Sequence, residues 1–374
     1  MATEQLLGEV TSITVEQVQR IVNKDFSDAQ ATVVKLTELR NHGFSHTLDS
    51  KTYVVDLQTP GTEYPQICCC FITISRPTNG TRTYHDNSLP LAAELLTRIR
   101  TQTDIPILES TLDTSLELVP YHYLLSPLSP FSAADIVSLP DARRSGALST
   151  NDTILIDLLL GKFMGQLHSG VQNDWFGRPE PGGAEPPVSS YSWQETFTGL
   201  LEDLLAQVEG RGLALPYTDV RGHLSRAIGS FLFDDVEVPA LVWFTGSEHD
   251  IYLVDPSVEA AKRAPGGIAA ILPNIAHALW GDPLLECFMM GAEGEGPTDA
   301  FLEGYIGGGG GQLTVFPRQK TKRLWYTFFL GLLVLNKYGV ASVEGEEPFV
   351  EQKRFWAKEA LGKCVEALKD APCY

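Results

Sequence analysis

The chain has 374 residues, of which 43% are hydrophobic and 20% are charged, a composition typical of a folded globular protein rather than a disordered one. Its formal net charge is −19 and its pI is about 4.8. Such a surface repels phosphate backbones and anionic lipid, so we expect neither nucleic acid nor a membrane surface as a partner. A small neutral or cationic molecule is the partner that this charge favours.

Six cysteines are present, and Cys68, Cys69 and Cys70 are consecutive in the apolar run ICCCFITI. Consecutive strand residues point to opposite faces, so these cysteines are typical of small buried side chains. No cysteine or histidine spacing indicates zinc, and we predict no metal and a reducing compartment. The N-terminus MATEQLLGEV lacks the basic and apolar regions of a signal peptide, which favours a cytoplasmic location.

The N-terminal third predicts a small sheet with one helix against it. A capping box formed by Thr14 and Gln17 starts a first helix, and β-rich runs follow at 31–39, 51–59 and 67–75. Short turns between these runs indicate an antiparallel sheet. A clear helix is predicted over 89–103, and two more strands over 105–110 and 121–127. Together these elements predict an N-terminal lobe over residues 1–126.

Helical periodicity dominates from about residue 150, which predicts a C-terminal helical lobe over 127–374. The run Leu324–Leu335 is the most apolar helix candidate, but its length of about 12 residues is short of the roughly 20 that cross a bilayer. The glycine run 307–311 has neither a preceding strand nor a following GK[ST], so we predict a flexible surface loop and no phosphate site.

Several segments resemble the aminoglycoside phosphotransferase family, in the order that the family shows. They are HALWGDPLLE at 277–286, LGKFMGQLHS with NDWFG at 160–177, RTQTDIPILE at 100–109, and TDAFLEGY followed by RLWYTFFLGLL at 298–333. The resemblance covers about residues 25–340. It implies an α+β, protein-kinase-like bilobal fold with a small antiparallel-sheet lobe and a larger helical lobe.

The positions that would carry phosphoryl transfer in that family depart from its pattern. The resemblance places Thr73 where the phosphate-binding basic residue of the third strand would be, and Ala92 where the helix glutamate would be, with Glu94 nearby. The stretch FTGSEHDIYLVDP at 244–256 has the outline of a catalytic loop. It carries Gly246 at the catalytic aspartate and Ile251 at the metal-binding asparagine.

Asn274 stands in the place of the metal-binding aspartate. Without these groups magnesium would be held weakly and phosphate charge would stay unscreened. We therefore predict that the chain is not an ATP-dependent kinase and uses no cofactor.

Other chemistry is suggested by the same loop, in which Glu248, His249 and Asp250 gather two carboxylates and an imidazole, the candidate catalytic groups. A solvated turn is the plainer interpretation of such a cluster. The candidate ligand-binding residues are Thr73, Tyr123, Phe244, Gly246, Asn274 and His277. Plainer interpretations exist here too: Tyr123 is typical of an ordinary strand, and His277 of a helix start.

Three functions remain open at this point. The first is an enzyme whose former kinase cleft holds a small, fairly apolar metabolite and promotes cyclisation or isomerisation in a biosynthetic pathway. The second is a non-catalytic pseudokinase that binds a ligand or a protein, and the third is an atypical small-molecule phosphotransferase. The sequence favours the first narrowly and leaves the oligomeric state unknown.

Overall fold

The computed structural model describes residues 11–27, 30–40, 42–45, 50–59, 69–77, 86–129, 131–185, 190–255, 267–290, 296–313, 317–342 and 346–373. The chain forms two compact units. The first comprises Met1–Gly80, Asn87–Leu159 and Gly246–His277, and the second comprises Thr81–Asp86, Leu160–Thr245 and Ala278–Tyr374. No helix of the described part is long and apolar enough to cross a membrane.

The first unit is built around a five-stranded antiparallel sheet with the strand order β1-β2-β3-β5-β4. Its strands are β1 (Thr32–Glu38), β2 (Ser50–Gln58), β3 (Cys69–Ser75), β4 (Thr111–Asp113) and β5 (His122–Leu128). Helix α2 (Leu89–Gln102) is capped by Ser88 and packs against β5. The predicted sheet with one helix against it is therefore confirmed.

One face of this sheet is closed by helix α1 (Val15–Asp25), which begins at the capping box predicted from Thr14 and Gln17. Val18, Ile21 and Val22 form the buried stripe of the helix and pack on the sheet residues of that face. Alternate β3 residues point to the other face, where Phe71 is buried.

A second, three-stranded sheet belongs to the same unit, in the order β6-β8-β9. Its strands are β6 (Ile136–Ser138), β8 (Ile251–Val254) and β9 (Ile268–Ile271), and a short helix α3 (Leu139–Arg144) follows β6. The strand expected over 105–110 is wrong: only Ile107 makes a bridge there, to Ile271. Pro106 has no N–H to donate, and β4 begins at Thr111 instead.

The second unit is mainly helical. It contains most of α4 (Thr150–Gly170), together with α5 (Trp193–Gly210), α6 (Tyr217–Gly229), α7 (Asp299–Gly307), α8 (Pro317–Tyr338) and α9 (Pro348–Leu368). A two-stranded antiparallel ladder joins β7 (Ala240–Val242) to β10 (Leu279–Gly281). Aromatic rings fill the centre, with Phe197 lying 4.8 Å from Phe233 and 5.0 Å from Tyr326 between ring centroids.

Glycines allow α4 and α7 to touch through their backbones. A Cβ built on Gly161 would lie 1.9 Å from the Phe301 carbonyl oxygen, and one on Gly308 would lie 2.2 Å from the Lys162 carbonyl oxygen. The glycine run therefore differs from the expected plain surface loop: Gly307 ends α7 and Gly308 packs against α4.

Five cysteines lie among the described residues, and all five are buried and reduced. Cys69 and Cys70 are on β3, as the apolar run predicted, while Cys287, Cys364 and Cys373 belong to the second unit. Burial raises the pKa of the Cys70 thiol, and it raises that of Cys364 to about 12.

The predicted α+β, protein-kinase-like fold is confirmed by this combination of a small antiparallel sheet with its helix and a larger helical part. The compact units do not follow the predicted ranges 1–126 and 127–374, because residues 127–159 and 246–277 belong with the sheet. Compactness is a different criterion from the lobes of the family, so the boundary after residue 126 stays a prediction.

Asp113 at the end of β4 gives the first unit a pH-dependent contact. Its carboxylate accepts hydrogen bonds from the Lys24 ammonium, from the Ser115 N–H at 2.7 Å and from the Tyr123 hydroxyl at 3.1 Å. These donors, Lys24 foremost, hold the pKa of Asp113 below its usual range. A depressed pKa stabilises the fold above the unfolded-state pKa of about 3.9, and the contribution is lost as the pH falls below that value.

We therefore expect Asp113→Asn to melt at a lower temperature than the wild type at pH 7. The difference between the two melting temperatures should shrink below about pH 4, because the Asp113 carboxylate of the unfolded wild type then takes up a proton and its contribution to stability falls. Circular dichroism melts between pH 7 and pH 3 would measure it. Glu109→Gln, in an ion pair whose glutamate side chain is 82% exposed, is the control. A difference that is the same at every pH would contradict the assignment.

Candidate functional site

The loop that follows β7 is anchored in the second unit by a buried carboxylate. Glu286 accepts hydrogen bonds from the Trp243 N–H at 2.5 Å and from the Phe244 N–H at 3.0 Å. His168 Nε2 lies 3.3 Å from the same carboxylate, and His168 Nδ1 lies 2.8 Å from the Tyr305 hydroxyl. A charged acceptor on two backbone donors fixes the start of the loop firmly.

Phe244 itself has a left-handed backbone with φ of 67°, which is unusual for a bulky residue. Its ring is fully buried in the second unit and stacks on Phe329 with centroids 5.4 Å apart. The side chain therefore packs in the core of that unit. Its candidate role as a ligand contact stays a prediction.

Asp250 lies in the first unit and is 1% exposed. It closes a capping box with Ser247, whose N–H lies 2.9 Å from one carboxylate oxygen. The other oxygen accepts a hydrogen bond of 2.8 Å from the Ser45 hydroxyl. Ser45 belongs to the connection between β1 and β2, so this carboxylate joins two segments that are 205 residues apart in the chain.

Glu248 forms an ion pair with Arg143, whose Nη2 lies 3.0 Å from the glutamate and 2.6 Å from Asp157. Burial raises the pKa of the Glu248 carboxyl, and the nearby Arg143 charge opposes that rise. The Glu248 side chain is still 43% exposed, so the ion pair contributes little to stability. Glu248 is thus a half-solvated acid beside a guanidinium.

His249 stands between Glu248 and Asp250 in the sequence, and it is half-buried. Its imidazole ring meets the ring of His42 edge to face, with centroids 6.1 Å apart. His42 lies in the same β1–β2 connection as Ser45. The β1–β2 connection therefore contacts the loop 247–250 at two points, through His42 to His249 and through Ser45 to Asp250.

Asn274 contacts the connection as well, because its side-chain amide donates a 2.7 Å hydrogen bond to the Ser45 carbonyl. The Asn274 side-chain oxygen accepts from the Ala276 N–H at 3.2 Å, which holds the amide in its orientation. His277, three positions after Asn274, is 3% exposed.

Thr73 and Tyr123 lie on opposite faces of the first sheet. The Thr73 hydroxyl is 2.9 Å from the Thr52 hydroxyl on the neighbouring strand. Tyr123 packs instead in the core beneath α1, and its hydroxyl bonds to Asp113. The two candidate ligand residues do not converge on one point.

The first unit therefore brings together four of the residues that sequence reasoning selected: Glu248, His249, Asp250 and Asn274. Gly246 precedes them and is buried. Two further residues of the first unit, Ser45 and Arg143, complete these contacts and were missed, and so was Glu286 in the second unit. Only Glu286 had a signal in the sequence: it is a glutamate inside the apolar segment HALWGDPLLE, and a buried carboxylate needs partners.

Within the described ranges, no group of three histidine, cysteine or acidic side chains is placed to hold a metal ion. Asn274 contributes a neutral amide to the site, and Glu248 and Asp250 contribute carboxyl groups. The contacts of this site are thus suited to hydrogen bonding with neutral or positively charged groups.

No protein-family model matches the sequence, and no curated protein shows significant sequence similarity to it. Solved structures do match. A Ralstonia eutropha JMP134 protein classed as an aminoglycoside phosphotransferase is 11% identical, with a TM-score of 0.55 and coverage of 96% of this chain and 100% of its own. A Thermobifida fusca protein classed as a fructosamine-3-kinase is 14% identical, with a TM-score of 0.56 and coverage of 94% and 99%.

A spectinomycin phosphotransferase in complex with ADP and spectinomycin is 12% identical, with a TM-score of 0.50 and coverage of 97% of this chain and 100% of its own. At such low identity these matches establish the fold and do not by themselves assign an activity. The chain therefore has the kinase-like fold that aminoglycoside phosphotransferases and other small-molecule kinases share.

Proposed function

We propose that this chain is a pseudokinase, a kinase-fold protein that acts by binding and does not transfer phosphoryl groups from ATP. The observation that carries the proposal is the contact of Asn274 with Ser45. The side chain at the family's metal-binding position donates its amide to the protein's own backbone at 2.7 Å. A magnesium ligand must instead present an oxygen to the cation.

The other positions of the phosphotransferase pattern support the same conclusion. Phosphoryl transfer depends on a lysine for the phosphates and on carboxylate or amide oxygens for magnesium. Thr73 is neutral and pairs with Thr52, and Ile251 is fully buried in β8. A net charge of −19 adds long-range repulsion toward a triphosphate.

The connection between β1 and β2 extends the same argument. In protein kinases the corresponding glycine-rich loop covers the phosphates of ATP. Here Ser45 is fully buried and bonds to both Asp250 and Asn274. Ser45 thus takes up hydrogen-bonding groups of Asp250 and Asn274 that a ligand in the site would use.

A second candidate, acid–base catalysis on a small apolar metabolite, is favoured by one observation. Burial raises the pKa of Glu248, which brings a carboxyl group nearer to the protonated state that a general acid needs. Glu248 and the neighbouring His249 are the groups for this role. Asp250 is less suited to it, because its carboxylate is buried and already accepts from Ser45 and Ser247.

We expect ATP with magnesium to leave the melting temperature of the protein unchanged. A ligand present at 100 times its Kd would stabilise the fold by about 2.7 kcal/mol, which a thermal melt detects readily. Transfer of labelled γ-phosphate to water or to aminoglycosides should likewise be absent. The spectinomycin phosphotransferase is the positive control for both assays. A magnesium-dependent stabilisation together with label transfer would show that the chain is an atypical phosphotransferase.

A further inference from the structure

Within the segment 42–45, Ser45 makes hydrogen bonds to the candidate site of the kind that a bound ligand would make. Ser45 is completely buried although it belongs to a connection between strands. Two of its groups contact the site. The hydroxyl donates to Asp250 at 2.8 Å, and the backbone carbonyl accepts from Asn274 at 2.7 Å.

These two hydrogen bonds define a chemical pattern. In a serine residue the hydroxyl-bearing carbon is separated from the carbonyl carbon by one carbon, which is the arrangement of a 3-hydroxycarbonyl compound. Asp250 supplies a charged acceptor for the hydroxyl, and such bonds are about twice as strong as neutral ones. Asn274 supplies the donor for the carbonyl oxygen, and Ala276 fixes the orientation of its amide.

We propose that Asp250 and Asn274 form a binding site for a 3-hydroxycarbonyl group, and that Ser45 occupies this site in place of the ligand. The inference rests on the proposal that the chain acts by binding, and it names the class of molecule. The carboxylate of Asp250 repels anions, so the carbonyl belongs to an amide, an ester or a ketone rather than to a carboxylate. A phosphate group is disfavoured for the same reason.

Ser45 competes with the ligand as part of the same chain. An intramolecular competitor acts at an effective concentration in the millimolar range or above, so the wild type binds such compounds weakly. Weakening the competitor leaves Asp250 and Asn274 in place and raises the affinity for the external ligand. The ring contact between His42 and His249 is a second anchor of the loop, at 6.1 Å.

The direct test uses N-acetyl-L-serinamide as the probe and ligand-observed NMR as the measurement. Ser45→Ala removes the hydroxyl that competes for Asp250, and a hydrogen bond to a charged group is worth a factor of about ten or more in binding. We expect the Kd of the probe to fall about tenfold or more in this variant. N-acetyl-L-alaninamide, which lacks the hydroxyl, should gain much less.

Two matched variants complete the design. Ser110→Ala removes a different hydroxyl of the first unit, 2.6 Å from Ser126, and should leave the Kd of the probe unchanged. Asp250→Asn, combined with Ser45→Ala, should cancel the gain because the charged acceptor is lost. A Kd that changes less than threefold in Ser45→Ala, or an equal gain for both probes, would overturn the proposal.

The wild type offers a test that needs no variant. A saturating concentration of N-acetyl-L-serinamide should speed hydrogen exchange at residues 42–45, because the loop is displaced when the probe binds. Unchanged exchange there under saturation would refute the displacement. Neither experiment uses nucleotide, so its failure leaves the ATP result standing, and a positive ATP result leaves this test standing.

Discussion

Replacing Lys322 by Met is expected to lower the free energy of unfolding by about 3–5 kcal/mol, the typical cost of removing one partner from a buried charge network. Lys322 is 2% exposed on α8, and its Nζ lies 2.7 Å from Asp235 and 2.6 Å from Asp282. Burial alone would lower the pKa of Lys322, but the two carboxylates outweigh it and the pKa is raised. The lysine is therefore charged in the folded protein.

The substitution leaves the carboxylate of Asp282 buried in the interior without the Lys322 charge. This carboxylate would keep the hydrogen bonds from the Tyr326 hydroxyl at 2.7 Å and the Leu284 N–H at 2.9 Å, but would lose its counter-ion. Urea unfolding measures the effect. Lys320→Met, at an exposed position of the same helix, should change stability by less than about 0.5 kcal/mol.

Equal midpoints for the Lys322 and Lys320 variants would contradict the network. Adding Asp282→Asn to Lys322→Met should recover part of the loss, because the uncompensated charge is then removed. A double variant less stable than Lys322→Met would show that Asp282 stabilises the fold mainly through its cap and its tyrosine contact.

Substituting Ala for Gly161 is expected to destabilise the protein by about 3 kcal/mol or more, at or beyond the upper end of ordinary overpacking. The added methyl would lie 1.9 Å from the Phe301 carbonyl oxygen and 2.9 Å from the Tyr305 backbone nitrogen. Both obstacles are backbone atoms of α7, which cannot rotate away as a flexible side chain can. Relief requires the two helices to separate, with loss of their packing.

Gly199→Ala is the matched control, because Gly199 is an exposed glycine in α5 with open space around its Cβ position. There the substitution should stabilise the protein by about 0.4–1 kcal/mol through the lower entropy of the unfolded chain. Thermal melts of both variants would show opposite signs. A Gly161 variant as stable as the wild type would mean that α4 and α7 are farther apart than described.

The sequence predicted those features that depend on local chemistry. Thr14 and Gln17 start α1 through a capping box that is readable from four residues. The wrong strand over 105–110 was apolar enough for a strand, but Ile105 and Ile107 are buried by packing and not by ladder pairing. Tertiary contacts decided that outcome.

The candidate site was predictable only in part, for a reason of distance along the chain. Glu248, His249 and Asp250 stand together in the sequence, so their polarity was visible at once. Ser45 was not selected, because its partner Asp250 lies 205 residues away and Asn274 lies 229 residues away. A serine in a turn-like separator has no local pattern that indicates burial.

The buried cysteines can be used to detect local opening of the structure. Cys69 and Cys70 lie in one unit, and Cys287, Cys364 and Cys373 lie in the other, all with their thiols shielded from water. A thiol-alkylating reagent can reach them only when the surrounding structure opens, so the labelling rate follows the equilibrium of that opening. Mass spectrometry of the labelled peptides would measure the labelling rate of each unit separately in one sample, without any introduced cysteine.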